Sequence, residues 1–402
     1  MNVLMLSTLP EGGGAEVSTA LLYRELSALG HNVHVRVSAG LQCPEGYSAT
    51  PFDFRRRRWL HRIRWAPWTF AERLGVEQCV GKESRYVLDD LPFEPDVIHL
   101  NNVRRRILRI EDLPRLVKWA PVVWTLRDMW PLTGHCCHAF ECERWKKGRE
   151  GCGKCPHLCD APMKLRHDFS RLNLRRRRRV YRWISRNARG RFRLVAPSQW
   201  MADNVKQSAV AHDLDVSLIR NGIDLNLFRP YTFTQKAQVR LAHGIPEDAY
   251  VILYAANGGR ENPFRDFSAF ERVVEHEQDR VRGAQVIVPL VVGGRLSRPC
   301  PGTLLNERAY ANVPHDQMPD FYNMADVYVH PAKADTAPLS IMEAMACGVG
   351  VIATDVGGIP EMLPELDEDS PLFGFRLREY AFRHFDIRWT AEEYAALYAE
   401  LV

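Results

Sequence analysis

Residues 330–348 read HPAKADTAPLSIMEAMACG, and the apolar run VGVIAT follows at residues 349–354. The apolar segment Val327–His330 predicts a β-strand, and the strand leads into a loop that carries the carboxylate of Asp335. Small residues then open a helix, on which Glu343 lies about two turns further along. Strand, loop and helix in this order predict one βα unit, with two acidic side chains near the carboxyl end of its strand.

Short apolar runs alternate with longer amphipathic segments along the whole chain. In the first half the runs are Val3–Ser7, Val33–Val37, Val97–Leu100, Val122–Leu126 and Leu194–Ala196, and in the second half they are Val251–Ala255, Val286–Val292, Val327–His330 and Val351–Ala353. This alternation is typical of parallel sheets covered by helices, so the predicted fold class is α/β with two sheets. The turn-rich segment Asn221–Asp224 predicts a hinge. The predicted domains are residues 1–195 and 196–377.

The length and composition indicate a globular protein. A chain of 402 residues with 46% hydrophobic residues suits two domains of about 150–200 residues each. No apolar run approaches the roughly 18 residues that span a bilayer. The apolar segment Asn2–Ser7 is short and lacks a basic flank, so it predicts a first β-strand and not a signal peptide. We expect a cytoplasmic protein.

The net charge of +5 is mild, but the arginines are clustered. The clusters are Arg55 to Arg58 with Trp59, Arg62, Arg64, Trp65 and Trp68, then Arg104 to Arg106, and Arg175 to Arg179. Solvated helix faces would explain them. Attraction to an anionic membrane surface is the alternative, because basic residues with interleaved Trp are typical of interfacial anchors. No nucleic-acid-binding motif accompanies the clusters, so we expect no nucleic-acid partner.

The second half of the chain has the chemistry of a nucleotide-sugar site. The free N–H groups at a helix start can bind a diphosphate, and Glu343 can accept hydrogen bonds from ribose hydroxyls. Arg260 and Arg265 follow the apolar run Val251–Ala255, where guanidinium groups can stabilise the charge on a leaving nucleoside diphosphate. Taken alone, each segment also fits an ordinary βα unit with surface arginines.

Two further candidates lie in the first half. Gly12 to Glu16 read GGGAE between the first strand and an amphipathic segment, and glycines such as Gly13 and Gly14 let the backbone approach a ligand at a helix start. The spacing does not fit the dinucleotide fingerprint, and a tight structural turn is the alternative. Arg127 follows the run Val122–Leu126, at the edge where open α/β sheets bind ligands.

Six of the ten cysteines lie close together in sequence, at Cys136, Cys137, Cys142, Cys152, Cys155 and Cys159. The pair Cys152 and Cys155 has the spacing of a zinc knuckle, and Cys136 with Cys142 offers a second pair. We favour a structural zinc held by these four residues, with free or redox-labile thiols as the alternative. Disulfides are disfavoured in a reducing compartment. A catalytic zinc is disfavoured because thiolate-rich sites are usually closed.

These motifs, in their order along residues 1–365, resemble the retaining glycosyltransferases of the "glycosyl transferases group 1" family (family 4). The segment around the cysteines resembles a bacterial exopolysaccharide-biosynthesis subgroup of that family. The resemblance implies the GT-B architecture, in which two Rossmann-like domains face each other across an interdomain cleft. It also implies that the terminal helix, residues 378–402, packs back on the first domain.

The function implied by the resemblance is transfer of a sugar, with retention, from a nucleoside-diphosphate-sugar donor to a glycan or lipid-linked acceptor. No metal cofactor is needed for catalysis, because the arginines neutralise the diphosphate. Catalytic roles are implied for Arg127, Asp335 and Glu343. Donor-binding roles are implied for Gly13, Gly14, Arg260, Arg265, Gly294, Thr336, Ala337, Leu339, Ser340 and Glu343.

The chain departs from its relatives at several places, one of which is Arg265, where the family carries Lys. Relatives usually carry His where this chain has Arg127 and Glu where it has Asp335, and they carry a further strand-helix segment after Glu361. Arg cannot act as a general base because it stays protonated, but in retaining enzymes the leaving phosphate is often assigned that role. A catalytically inactive glycosyltransferase-like binding or scaffold protein is therefore the alternative. A zinc-stabilised nucleic-acid binder is a third hypothesis, and it rests on the arginine clusters alone.

Overall fold

The structure is a computed structural model. It describes residues 1–9, 12–37, 49–51, 76, 87–103, 108–148, 150–159, 167–281, 285–293, 306–311, 313–366, 370 and 372–402. The chain divides into two compact units, one formed by Met1–Arg220 with Arg388–Val402 and the other by Asn221–Ile387. Within the described residues, no helix is long and apolar enough to cross a membrane.

Each unit is built on a parallel β-sheet. The strands of the first unit are β1 (Asn2–Ser7), β2 (Asn32–Val37), β3 (Ala49–Pro51), β4 (Val97–Leu100), β5 (Val122–Thr125), β6 (Phe192–Ala196) and β7 (Val216–Leu218), and those of the second are β8 (Tyr250–Ala255), β9 (Ile287–Val292), β10 (Arg308–Tyr310), β11 (Val327–His330) and β12 (Gly350–Ala353). The strand orders are β3-β2-β1-β4-β5-β6-β7 and β10-β9-β8-β11-β12. All described strand pairs are parallel. The predicted α/β fold class with two parallel sheets is confirmed.

Helices follow most of the strands. They are α1 (Gly14–Ala28), α2 (Leu113–Trp119), α3 (Ser170–Asn187), α4 (Gln199–Gln207), α5 (Phe233–Ala242), α6 (Phe267–Val281), α7 (Met318–Met324), α8 (Leu339–Ala346), α9 (Phe373–His384) and α10 (Ile387–Leu401). Parallel strands need such crossover connections, which usually place helices on both faces of a sheet.

Both faces of the first sheet are buried. On β1, Leu4 and Leu6 belong to one hydrophobic cluster, whereas Val3 and Met5 belong to another. Alternate residues of a strand point to opposite faces, so the continuous apolar run of β1 supplies both cores. The same geometry explains why the sequence shows apolar runs and not alternating patterns.

A network of hydrogen bonds between buried side chains joins α10 to the first sheet. His99 on β4 lies with Nδ1 2.6 Å from the Tyr398 hydroxyl and with Nε2 2.8 Å from Thr125 Oγ1. Thr125 Oγ1 also lies 2.6 Å from the Tyr394 hydroxyl. Around these bonds Tyr394, Tyr398 and Leu401 pack on the cluster that contains Val3 and Met5.

The observed boundaries of the units differ from the predicted domains. The first unit continues to Arg220 and not to residue 195, because β7 pairs with β6 and because Met201 of α4 belongs to the first core. The returning segment begins at Arg388 and not at residue 378. Helix α9 stays with the second unit, where Arg378 donates hydrogen bonds to the carbonyls of Leu225, Phe228 and Ala346.

The buried His99 predicts a specific pH dependence of stability. Burial, and then the nearby charge of Arg127, lowers the pKa of His99 to about 3. In the unfolded chain a His side chain has a pKa of about 6.5. As the pH falls below that value the unfolded chain gains a proton that the folded chain does not bind, so stability is lost. Between pH values of about 6.5 and about 4.5 the loss from this group is about 2–3 kcal/mol.

We therefore expect the His99→Gln variant to show a flatter dependence of the free energy of unfolding on pH, measured by urea denaturation. The exposed His276 supplies the control, since His276→Gln should keep the wild-type slope. An unchanged slope in the His99 variant would contradict this account.

Candidate functional site

In the second unit, candidate residues gather at the carboxyl ends of β8 and β11. Arg265 follows β8, and its Nη2 donates a 2.8 Å hydrogen bond to Asp335 Oδ2, in the loop that follows β11. The two loops also pair through their backbones, where Lys333 N donates to Phe264 O at 2.9 Å and Arg265 forms a bridge with Ala332. The sequence predicted Arg265 and Asp335 as separate contacts to a donor, and the structure brings them together as an ion pair.

Arg260 lies in a short 3-10 helix, Gly259–Glu261, close behind β8. Its guanidinium forms an ion pair with Glu307 and lies over the Phe267 ring, 4.6 Å from the centroid. No local sequence pattern links Glu307 to Arg260, so the sequence alone does not predict this pair. The pair holds a cation in place near the end of β8.

His330 is a further residue of this site, and the sequence alone predicted no role for it. It ends β11 with no exposed surface, and its Nδ1 lies 2.7 Å from the Tyr328 hydroxyl. Nε2 lies 3.6 Å from Asp335 Oδ2, beyond ordinary hydrogen-bond length, and has no closer partner in the described part of the chain. Burial, and then the charge of Arg265, lowers the pKa of His330 to about 4. At neutral pH this ring is an uncharged group beside the Arg265–Asp335 pair.

The start of α8 lies next to this pair. Asp335 Oδ1 accepts a 2.8 Å hydrogen bond from the N–H of Thr336, and Asn221 donates to the carbonyl of Ala337 at 3.1 Å. Among the described residues, no side chain caps the helix at Pro338. The first N–H groups of a helix, here those of Leu339 and Ser340, have no partner within the helix, so they can bind an anion.

Glu343 lies in α8 and is buried. His315 Nε2 is 2.8 Å from its Oε1, and the Tyr322 hydroxyl donates to its Oε2 at 2.8 Å. Burial alone would lower the pKa of His315, but the Glu343 carboxylate raises it above the ordinary value. The sequence identified Glu343 and missed both partners, which lie in a different segment of the chain. Their hydrogen bonds fix the carboxylate in one orientation.

A separate group of candidates lies in the first unit, at the carboxyl ends of β1, β4 and β5. Gly13 is the N-cap of α1, and its N–H donates to Glu16 Oε2 at 3.0 Å. Glu16 Oε1 accepts a 3.0 Å bond from Asn102, and Arg127 Nη2 donates to Asn101 Oδ1 at 3.0 Å. Gly14 begins the helix. Burial lowers the pKa of Arg127 below its ordinary value, although the charge of Glu16 opposes this shift.

Several predicted residues lie elsewhere. Gly294, the patch Arg55 to Trp68 and the cluster Arg104 to Arg106 fall outside the described residues. The four predicted zinc ligands, Cys136, Cys142, Cys152 and Cys155, line one small cavity of the first unit. Within the described ranges, no three His, Cys, Asp or Glu side chains already stand in a metal-binding arrangement.

Two family descriptions match this chain. Residues 12–227 match Glycosyltransferase Family 4, and residues 236–368 match Glycosyl transferases group 1. The chain is 32% identical over 180 residues to D-inositol 3-phosphate glycosyltransferase 1 of Catenulispora acidiphila, which covers 42% of each protein. It is 27% identical over 245 residues to the putative colanic acid biosynthesis glycosyl transferase WcaC of Escherichia coli K12, covering 60% of this chain and 54% of WcaC. The chain thus spans about half the length of these relatives, or less.

Solved structures share the fold. The sucrose-phosphate synthase of Thermosynechococcus elongatus superposes with a TM-score of 0.62 at 16% identity, covering 100% of this chain and 99% of that protein. Anabaena HepE, solved in complex with UDP and glucose, gives a TM-score of 0.57 at 15% identity and 98% coverage of both chains. At these identities the likeness concerns the fold alone.

The backbone around Asp335 predicts a sensitive position. Gly357 has φ +63°, and a Cβ placed there would lie 1.9 Å from the Asp335 carbonyl oxygen. Gly244 has the same φ of +63° with nothing within 4 Å, so it provides a matched control. Both Gly→Ala variants should lose about 1–2 kcal/mol for the left-handed backbone.

Only Gly357→Ala should lose more than this, because the Asp335 loop must move to admit the methyl group. Chemical denaturation of both variants measures the difference. Equal losses would contradict the close approach between residues 335 and 357.

Proposed function

The chain belongs to Glycosyltransferase Family 4, and we propose that it transfers a sugar from a nucleoside-diphosphate-sugar donor to a glycan or lipid-linked acceptor. The observation that carries this proposal is the Arg265–Asp335 pair beside the uncapped start of α8. A fixed cation and free helix N–H groups suit a diphosphate. The neighbouring carboxylate suits sugar hydroxyls, which are hydrogen-bond donors.

Each candidate residue has a role in this proposal. Arg265, with Arg260 close behind the same strand, stabilises the negative charge that develops on the leaving diphosphate. These cations make catalysis independent of a metal ion. Asp335 accepts hydrogen bonds from the donor sugar, and Glu343, held by His315 and Tyr322, accepts them from the ribose.

We further propose that transfer retains the anomeric configuration. The bond between the anomeric carbon and the diphosphate oxygen breaks as the acceptor oxygen bonds to the same face, and the acceptor proton passes to the leaving phosphate. Arg127 cannot take this proton, because a guanidinium stays protonated. Together with Gly13 and Gly14, Arg127 instead provides positive charge and backbone N–H groups for ligand binding in the first unit.

The acceptor is proposed to be a glycan of polysaccharide synthesis. The similarity to WcaC, named for colanic acid biosynthesis, supports this choice because it extends over 60% of the chain. The D-inositol 3-phosphate glycosyltransferases align over a shorter part. The rival proposal, an inactive protein that binds donors without turnover, is favoured by Arg127 and Asp335 standing where relatives carry other residues.

The donor site is tested with UDP and a panel of nucleoside-diphosphate sugars. Arg265→Ala removes a charge-assisted hydrogen bond worth about 1.5–3 kcal/mol, so calorimetry should show affinity for the nucleoside diphosphate weakened about tenfold or more. Arg272 on α6 is exposed and pairs with Asp266, so Arg272→Ala should bind like the wild type. Unchanged affinity in the Arg265 variant would refute the diphosphate assignment.

Measurement of donor turnover distinguishes an active transferase from an inactive donor-binding protein. Release of nucleoside diphosphate from one of the sugars, lost in Asp335→Ala, is expected of the transferase. Tight donor binding without release, with and without added glycan acceptors, would instead favour the inactive binding protein.

An anionic membrane surface is a further proposed partner, supported by one face of α3. Arg175, Arg179, Arg182 and Arg186 are exposed and recur at helical spacing. In the described part of the chain none of these four has an ion-pair partner within 4 Å. Each arginine near an anionic surface contributes about 1 kcal/mol, so the four together would hold the protein reversibly at a membrane carrying lipid-linked acceptors.

Vesicle sedimentation tests this partner. Wild-type protein should sediment with phosphatidylglycerol-containing vesicles at low salt and be released by high salt. The double variant Arg179→Glu/Arg182→Glu should bind at least about tenfold more weakly, while the matched reversal Arg272→Glu/Arg280→Glu on α6 should bind normally. Equal binding to neutral phosphatidylcholine vesicles, or none by the wild type, would overturn the proposal.

A further inference from the structure

The segment between β5 and α3 contains four thiols around one cavity. Cys136, Cys142, Cys152 and Cys155 all line a space of about 10 Å³, which is room for about one small occupant. The Sγ atoms of Cys136 and Cys155 are 3.5 Å apart, and all four cysteines are unbridged. Residues that are up to 19 positions apart in sequence therefore line the same cavity.

The separation of these sulfur atoms is informative. In a disulfide the two sulfurs would be about 2.05 Å apart. In a tetrahedral zinc site with Zn–S bonds of about 2.3 Å, neighbouring sulfurs are about 3.8 Å apart. The observed distance of 3.5 Å is close to the second value. The Cys136 and Cys155 sulfurs are therefore spaced nearly as two ligands of one zinc ion would be.

The backbone of the Cys152–Cys155 turn is held in an unusual conformation. Cys152, Gly153 and Lys154 have φ values of +51°, +80° and +50°, and for the two residues with a side chain this left-handed conformation is unfavourable. Side chains from outside the turn fix it. Gly153 N donates to Ser170 Oγ at 2.8 Å, and Cys155 N donates to Asp168 Oδ2 at 2.7 Å.

A second set of hydrogen bonds reaches the carbonyl groups of the turn. Arg144 Nη1 donates to the carbonyls of Gly153 and Lys154, both at 2.6 Å. The turn is thus fixed by bonds to both its N–H and its carbonyl groups. Such outer contacts orient ligands and are typical of the surroundings of metal sites.

Two glycines permit this close arrangement. A Cβ at Gly134 would lie 2.1 Å from the Ser170 carbonyl oxygen, and one at Gly151 would lie 1.9 Å from the Lys147 carbonyl oxygen. Any other residue would push apart the segments that carry the cysteines. Glycine is therefore present at positions 134 and 151, where a side chain would separate the segments that carry the thiols.

We propose that Cys136, Cys142, Cys152 and Cys155 bind one structural zinc ion. Each thiol releases its proton and the four thiolates complete a tetrahedral shell, so no position remains for a substrate. The ion fastens the irregular segment after β5 to the start of α3, and Arg127 lies at the beginning of that segment. This site is independent of the donor-binding residues of the second unit.

Metal analysis of the full-length protein, purified under reducing conditions without chelators, tests the proposal. We expect about one zinc per chain, and chelation should lower the melting temperature. Protein loaded with cobalt(II) should show the absorption of a tetrahedral thiolate complex. Absence of zinc and of this spectrum in wild-type protein would overturn the proposal, whatever the behaviour of the variants.

Variants then identify the ligands. Cys152→Ala and Cys136→Ala should lose the zinc, whereas Cys159→Ala, which removes an exposed thiol outside the cavity, should keep it. His135 also lines the cavity, and His135→Ala should keep the metal if the ligands are four thiolates. Zinc retained in both ligand variants, or a disulfide between residues 136 and 155 found by mass spectrometry, would refute the assignment.

Discussion

The ion pair between Arg265 and Asp335 is the constraint on which the second unit's candidate site depends. Each partner comes from a loop at the carboxyl end of a different parallel strand, and a backbone bridge beside it ties the two loops together. The pair sets the position of the peptide that enters α8, because the second oxygen of Asp335 accepts the N–H of Thr336. The cation, the acid and the helix start therefore form one group. A change at any of the three disturbs the other two.

In the first unit the comparable constraint is hydrogen bonding among buried polar side chains. His99, Thr125, Tyr394 and Tyr398 satisfy each other inside a face that is otherwise apolar. Leaving one of these groups unpaired would cost about 1–3 kcal/mol, so the network allows only one register of α10 on the sheet. Close by, Arg127 bonds to Asn101 and Glu16 bonds to Asn102, two adjacent residues that follow β4. The packing of α10 and the orientation of the candidate ligand-binding side chains thus both depend on β4 and the residues that follow it.

The parallel α/β fold was predictable from the sequence because apolar runs such as Val3–Ser7 are a local signal of buried strands. The fold class and the family resemblance are both confirmed. It identified Arg265, Asp335 and Glu343 because they follow strands or stand in the quoted helix, and their roles toward a donor stay predictions. It missed Glu307, His315 and Tyr322, since each meets its partner only through the tertiary fold and no spacing rule connects them. The first compact unit extends to Arg220, beyond the predicted boundary at residue 195, and the short strand β7 in this extension carries a weak apolar signal. Its pairing with β6 is visible only in three dimensions.

The chain order of the first unit has a consequence for its synthesis. The strands described for its sheet are all complete by Leu218, yet the face that carries Val3 and Met5 is covered in part by Tyr394, Leu397, Tyr398 and Leu401. The whole second unit is translated between these two parts. A ribosome-bound chain therefore exposes an apolar sheet surface throughout that interval, although domains generally fold as units from the N-terminus during synthesis. The second unit can complete its fold first, and the first unit reaches its final stability only after residue 401 has left the ribosome.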